Sequence, residues 1–326
     1  MKLRNSLVAA ASAAALLLPV APAAVAAPAG ASSSVAASAP VAAASSGSGR
    51  VGGAAASKLG KPSFRALQTT TKRTAVTVKV TRPRYQKVSL QRKDSGKWRT
   101  VSTTRAPRTG TSATVKLKVP AKAGYRAYRV VLGKSKYNKT TASKTFKFFQ
   151  SDAKKHAKYI AKARKYVKRY CPSTPIYIDS PSVKNSWAIG MAWTTWRWKS
   201  RWTGRAFAYD WSWTQTIELA SGLTDAQLRH TALHECAHIV QARPIGKSQA
   251  TYDHSVRAEQ KIFRTGWAAS NEQQADCMAA FITGSTKYNY YTTDCGGSRA
   301  KNAKSMWKKW GTKYQSPERK WTTRTA

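Results

Sequence analysis

The five residues His234-Glu235-Cys236-Ala237-His238 constrain this chain more than any other stretch. On an α-helix, residues four apart lie on one face, one turn above the other. Two imidazoles so placed can share one tetrahedral metal ion, and a glutamate beside the first can reach a metal-held water. The flanks agree with a helix. Thr224 is a good N-cap, Gln227 three residues later makes a capping box, and Ala242-Arg243-Pro244 ends the run.

Projected at about 100° per residue, Thr231, His234, Glu235 and His238 share one face of that helix. Leu228, Ala232, Cys236 and Ile239 share another. Cys236 is therefore expected to point into the core, as a thiol or in a disulfide, and not at the metal. His230 and His156 are expected to be exposed helix residues.

A structural zinc site needs four protein ligands, and a catalytic one needs three with an open position. A third histidine at the metzincin spacing is ruled out, because that position is Pro244 and the earlier glycine position is Gln241. The better candidate lies in Asn271-Glu272-Gln273-Gln274-Ala275-Asp276-Cys277, a helix that Ser270 can cap and Gly284 can stop. Glu272 and Asp276 are four apart and share a face. Glu272 can ligate zinc, and Asp276 can accept the outer N–H of a ligand histidine, with His234 the expected partner. The bland alternative is two satisfied helix-surface histidines and a solvated acidic face. With only 13 acidic residues in the chain, three of them in these two short motifs, that alternative is weak.

Asn-Glu-x-x-x-Asp after H-E-x-x-H resembles the gluzincins, the thermolysin-like zinc peptidases. More closely, "HECAHIVQAR" followed by "NEQQADCMAA" resembles a family of bacterial neutral zinc metallopeptidases whose second helix carries E-x-x-A-D-C. The resemblance covers roughly residues 171–300 and is specific at the two helices. It implies Zn2+ held by His234, His238 and Glu272, with Asp276 behind them. Glu235 would act as the general base of peptide-bond hydrolysis. One departure is Cys236-Ala237, where that family often has a glycine before the second histidine; the small Ala237 should serve. A donor for the transition-state oxyanion is not assigned; His254, Tyr252 and the run from Tyr288 to Tyr291 are candidates.

The rest of the chain sets the context. Lys2 and Arg4, an apolar run from Leu7 to Val20, and Ala24-Val25-Ala26 read as a signal peptide over residues 1–27. No later stretch approaches the ~20 apolar residues of a spanning helix. The mature protein is expected to be secreted, extracellular or associated with the cell wall. Export permits disulfides, and sequence alone does not choose among the pairings of Cys171, Cys236, Cys277 and Cys295. Cys277–Cys295 is preferred because it closes a short loop, which leaves Cys171–Cys236.

Residues 28–61 read as an Ala/Ser/Gly-rich linker. Residues 62–150 carry short alternating runs such as Thr74–Val80, Lys87–Gln91, Thr114–Val119 and Tyr125–Leu132, separated by turn signals such as Asp94-Ser95-Gly96. This segment is expected to be a basic, all-β, immunoglobulin-like sandwich. Residues 151–326 are expected to be an α+β zincin-like catalytic domain with a basic C-terminal tail. It opens with a basic amphipathic helix over 152–170 and a strand at Ile176-Tyr177-Ile178. Seven tryptophans from Trp187 to Trp213 accompany alternating strands; most are expected in the core, with one or two in a substrate cleft.

The net charge is +44, and Asp94 is the only acidic residue among the first 150. Such a balance ordinarily suggests nucleic acid. Export points instead to cell-wall polymers, phospholipid headgroups or acidic substrates, with anionic cell-wall polymers the expected partners of the basic module beside a protein or peptide substrate. Three rivals to a peptidase stay open: a hydrolase of peptidoglycan peptides, a non-catalytic wall-binding protein with a zinc-stabilised fold, and a polyanion binder.

Overall fold

A computed structural model of the chain describes residues 56–71, 74–135, 139–204 and 206–324. The expected signal peptide and the linker up to residue 55 lie outside the described residues. The chain has mixed sheet and helix content.

The first nine strands are β1 (Lys58–Leu59), β2 (Leu67–Thr69), β3 (Thr74–Thr81), β4 (Lys87–Asp94), β5 (Lys97–Arg105), β6 (Ser112–Val119), β7 (Gly124–Leu132), β8 (Thr141–Ala142) and β9 (Phe146–Ser151). They form two sheets. One has the order β1-β3-β6; the other has the order β2-β9-β7-β4-β5, with β8 on β7. β1 lies in what the sequence reads as linker. Alternation explains the packing: every second residue of a strand faces the same side. Val76, Val78, Val80 and Leu117 of one sheet thus meet Val88, Leu90, Val130, Leu132 and Phe148 of the other in one core.

The β4–β5 hairpin turns at Ser95 and Gly96, with φ of 47° and 80°. Two positive φ values in a two-residue loop match the twist of the flanking strands, and Gly96 accepts this without strain. Asp94 just before the turn is held by Arg92, whose Nε and Nη2 donate at 3.0 and 2.8 Å. That hydrogen bond draws the Asp94 carboxyl below its ordinary value.

The second half contains α1 (Ala157–Val167), β10 (Ile176–Ile178), α2 (Pro181–Lys184), β11 (Gly190–Trp202), β12 (Phe207–Leu219), α3 (Asp225–Ala242), α4 (Gln249–Phe263), α5 (Trp267–Thr283), α6 (Gly297–Trp310) and β13 (Glu318–Arg324). Strand β12 pairs in parallel with β10 and antiparallel with β11 and β13. The apolar stripe of α1, α3, α5 and α6 share one core with Ile176, Ile178, Ile217 and Leu219. The two halves touch where the Ser151 hydroxyl accepts from the Ile178 N–H at 3.1 Å.

Two expectations fail here. The basic C-terminal stretch is not a tail: α6 buries Met306, Trp307 and Trp310, and β13 completes the sheet. Nor are most of the clustered tryptophans core. Among the seven only Trp213 is fully buried, while Trp187 and Trp202 are 88% and 61% exposed. For Trp202 the reason is length: β11 and β12 each run 13 residues, and Trp202 stands at the far end of β11; Trp187 precedes the strand.

Candidate metal centre

Helix α3 starts as its sequence dictates. The Thr224 side chain accepts from the Gln227 N–H, and the Gln227 side chain returns the bond to the Thr224 N–H. Cys236 is fully buried and forms a disulfide with Cys171, which ties α3 to the end of the α1 segment. The opposite face presents His234 and His238, whose Nε2 atoms are 3.1 Å apart.

Helix α5 supplies the third group. It begins after Gly266, four residues earlier than a Ser270 cap would place it. Ser270 instead lies in the first turn and donates to Glu259 Oε1 at 2.8 Å. The helix ends at Gly284, whose φ of 74° suits glycine. From α5, Glu272 Oε2 reaches both histidine Nε2 atoms at 3.2 Å. His234, His238 and Glu272 are a group that can hold a metal ion.

The fit can be tested on the geometry. Donors about 2.0–2.1 Å from one ion at tetrahedral angles lie about 3.3 Å from each other. The three separations here are 3.1, 3.2 and 3.2 Å. The outer nitrogens point the same way. His234 Nδ1 lies 2.9 Å from Asp276 Oδ1. His238 Nδ1 lies 2.8 Å from Gln241 Oε1 and 2.9 Å from Asn271 Oδ1. These oxygens require N–H on both Nδ1 atoms, which leaves both Nε2 lone pairs aimed at the Glu272 carboxylate. Two lone pairs and an anion converging at this distance repel each other unless a cation joins them.

Charge supports the same site. Burial opposes a charge on His234, but the hydrogen bonds it donates to Asp276 and Glu272 when protonated prevail and raise its pKa to about 10. Burial would raise Glu272, yet the two histidines outweigh it and hold its carboxyl well below the usual range. The pocket therefore favours positive charge at its centre, whether proton or metal. Glu235 is 5% exposed, and burial pushes it up to about 7 against the pull of the two imidazoles. That range suits a group that accepts and returns a proton near neutral pH.

Several supporting residues were not anticipated. Gln241 also donates from Nε2 to the Asn271 carbonyl at 2.8 Å, so α3 and α5 clasp each other behind His238. Glu259 on α4 is buried and bonds Ser270 and Asn271. Gly190, the first residue of β11, passes so near the site that a Cβ there would lie 2.5 Å from Glu235 Oε1 and 2.6 Å from Thr231 Cγ2. A glycine opening a strand is the one signal the sequence offered for this close approach.

Other expectations separate. His230 is buried, not exposed, and burial lowers its pKa to about 4. It sits one turn before His234, on the part of α3 covered by Tyr288, whose ring is 6.3 Å away. His254 is exposed on α4. Tyr252 packs on Trp196 at 5.6 Å. Of the tyrosine run, Tyr291 is beside the centre, its ring 6.1 Å from that of His234.

Cys277 and Cys295 form the second disulfide, and the described residues contain no free cysteine. No helix among the described residues is long and apolar enough to cross a membrane. Against this geometry, comparison with protein-family models gives no match, and no curated protein matches the sequence.

Proposed function

We propose that this chain is a secreted, zinc-dependent metallopeptidase of the gluzincin type, with an immunoglobulin-like module ahead of a zincin-like catalytic domain. The observation that carries the reading is the convergence of His234 Nε2, His238 Nε2 and Glu272 Oε2 within 3.2 Å, with buried Glu235 next to the first ligand. Two imidazoles and one carboxylate suit zinc, and the resemblance to zinc peptidases favours it; when bound it would supply Lewis acidity and an acidified water.

The residues of the chain have distinct tasks. His234, His238 and Glu272 would hold the ion, and Asp276, Asn271 and Gln241 keep the two imidazoles in the correct tautomer. Glu235 takes a proton from the attacking water and returns it to the leaving amine, a task suited to its raised pKa. Tyr291, beside His234, is the best-placed candidate for a donor to the developing oxyanion. Two disulfides accord with life outside the cell.

The test is cleavage of casein by the purified chain with and without a chelator, alongside Glu235→Gln. The expected result is chelator-sensitive cleavage, and a variant that keeps zinc but loses turnover. Wild-type activity in the variant removes Glu235 from the mechanism. Zinc binding without cleavage of casein or release of wall peptides favours the non-catalytic reading.

A further inference from the structure

The outer half of the β11–β12–β13 ribbon has two unlike faces. Alternation along β11 puts Trp196, Trp198 and Trp202 on one side and Arg197, Lys199 and Arg201 on the other. The register sets Trp198 opposite Trp211, and Trp211 opposite Trp321. Three indoles therefore cross the ribbon in a row, with ring centroids 6.3 and 5.8 Å apart. Near the metal helix this face is covered, since Trp213 is 1% exposed and Trp196 meets Tyr252. Further out it opens, with Trp198 43% and Trp202 61% exposed.

We infer that this end of the ribbon is a docking surface for an anionic lipid bilayer. Indole rings favour the interface between headgroups and acyl chains, and nearby Lys and Arg gain from negative headgroups. The cations are in place. Arg197, Lys199 and Arg201 are exposed, and Lys320 continues their row across Ser212. Asp210, the acid among them, is engaged by Arg201 at 3.2 Å and by the Thr322 hydroxyl. A net charge of +44 brings the whole molecule to such a surface.

The division of faces argues for a bilayer over an acidic glycan. A glycan stacked on the indoles needs cations on that same face. The cation there, Arg319, already lies over the rings of Tyr314 and Trp321 at 4.0 and 5.2 Å. The exposed cations of β11 point the other way. A headgroup layer that surrounds the ribbon tip meets both faces at once. The six steps from Trp196 to Trp202 span about 20 Å, enough to seat the tip in that layer. This inference does not depend on peptidase activity.

The test is co-sedimentation of the full-length protein with phosphatidylcholine vesicles, with and without phosphatidylglycerol, at about 0.15 M salt and again near 1 M, where charges are screened beyond about 3 Å. The wild type should sediment with the anionic vesicles. Trp198→Ala/Trp202→Ala should lose at least about tenfold in partitioning, and the loss should persist at high salt. Arg197→Gln/Lys199→Gln should weaken binding at low salt only. Trp187→Ala, which removes a more exposed indole outside the ribbon, should bind like the wild type. Equal urea-unfolding midpoints in all variants show that they fold. No vesicle binding by the wild type, or equal binding by the double tryptophan variant, overturns the inference. So does a double variant that loses retention on an insoluble acidic polysaccharide while still binding vesicles, which would give the face to a glycan.

Discussion

Asp276 ties His234 to the loop after α5. Its Oδ1 lies 2.9 Å from His234 Nδ1, while Oδ2 accepts from the N–H groups of Tyr290, Tyr291 and Thr292 at 3.0, 2.7 and 3.1 Å. A fully buried carboxylate is stable here because both oxygens are satisfied. One side chain therefore sets the orientation of a candidate metal ligand and the course of the segment beside it. Asp276→Asn keeps an acceptor for one side but cannot serve both. It should weaken zinc binding about 10- to 100-fold, as read by competition with a chromophoric chelator. Wild-type affinity would show that Asp276 does not orient His234.

The Cys277–Cys295 disulfide closes the loop that Asp276 gathers, with a sequence separation of 18. Cys277→Ser/Cys295→Ser should lower stability by about 3 kcal/mol on the chain-entropy argument. It should also weaken zinc binding, because the three N–H donors are no longer held near Asp276. Urea unfolding and chelator competition measure the two effects separately. A loss of stability with unchanged affinity would limit the bridge to a folding role.

Gly190→Ala places a methyl group where Glu235 and Thr231 already stand. Overpacking of this kind costs about 1–3 kcal/mol. Because the displaced group is Glu235, casein cleavage should fall by more than the loss of folded protein explains. Equal specific activity per folded molecule would show that β11 can retreat without moving Glu235.

Burial raises the Glu259 carboxyl to about 7, from an ordinary value of 4.5. The unfolded chain therefore releases this proton first. The stability contributed by protonated Glu259 is complete below about pH 4.5 and is lost as pH rises through about 7, by an amount on the order of 3 kcal/mol. Glu259→Gln mimics the protonated form and should flatten this slope. Urea unfolding of both proteins from pH 4 to pH 8 tests it; parallel curves would mean that Glu259 titrates alike in the folded and unfolded chain.

The sequence by itself determined what depends on neighbours along the chain. The capping box at Thr224, the shared face of His234 and His238, the inward turn of Cys236 and the alternation of Val76, Val78 and Val80 all follow from one helix or strand period. The pairing of Glu272 with those histidines was legible too, because the spacing to Asp276 marks a second helix with one acidic face. The tertiary structure alone decided what depends on how elements meet. It placed Asn271 and Gln241 behind His238, brought Gly190 against Glu235 and buried His230. It also drew the basic C-terminus into the sheet and left Trp198 and Trp202 beyond the helices. Local periodicity says which side of an element is apolar, but only the lengths and docking of its neighbours say how far that side is covered.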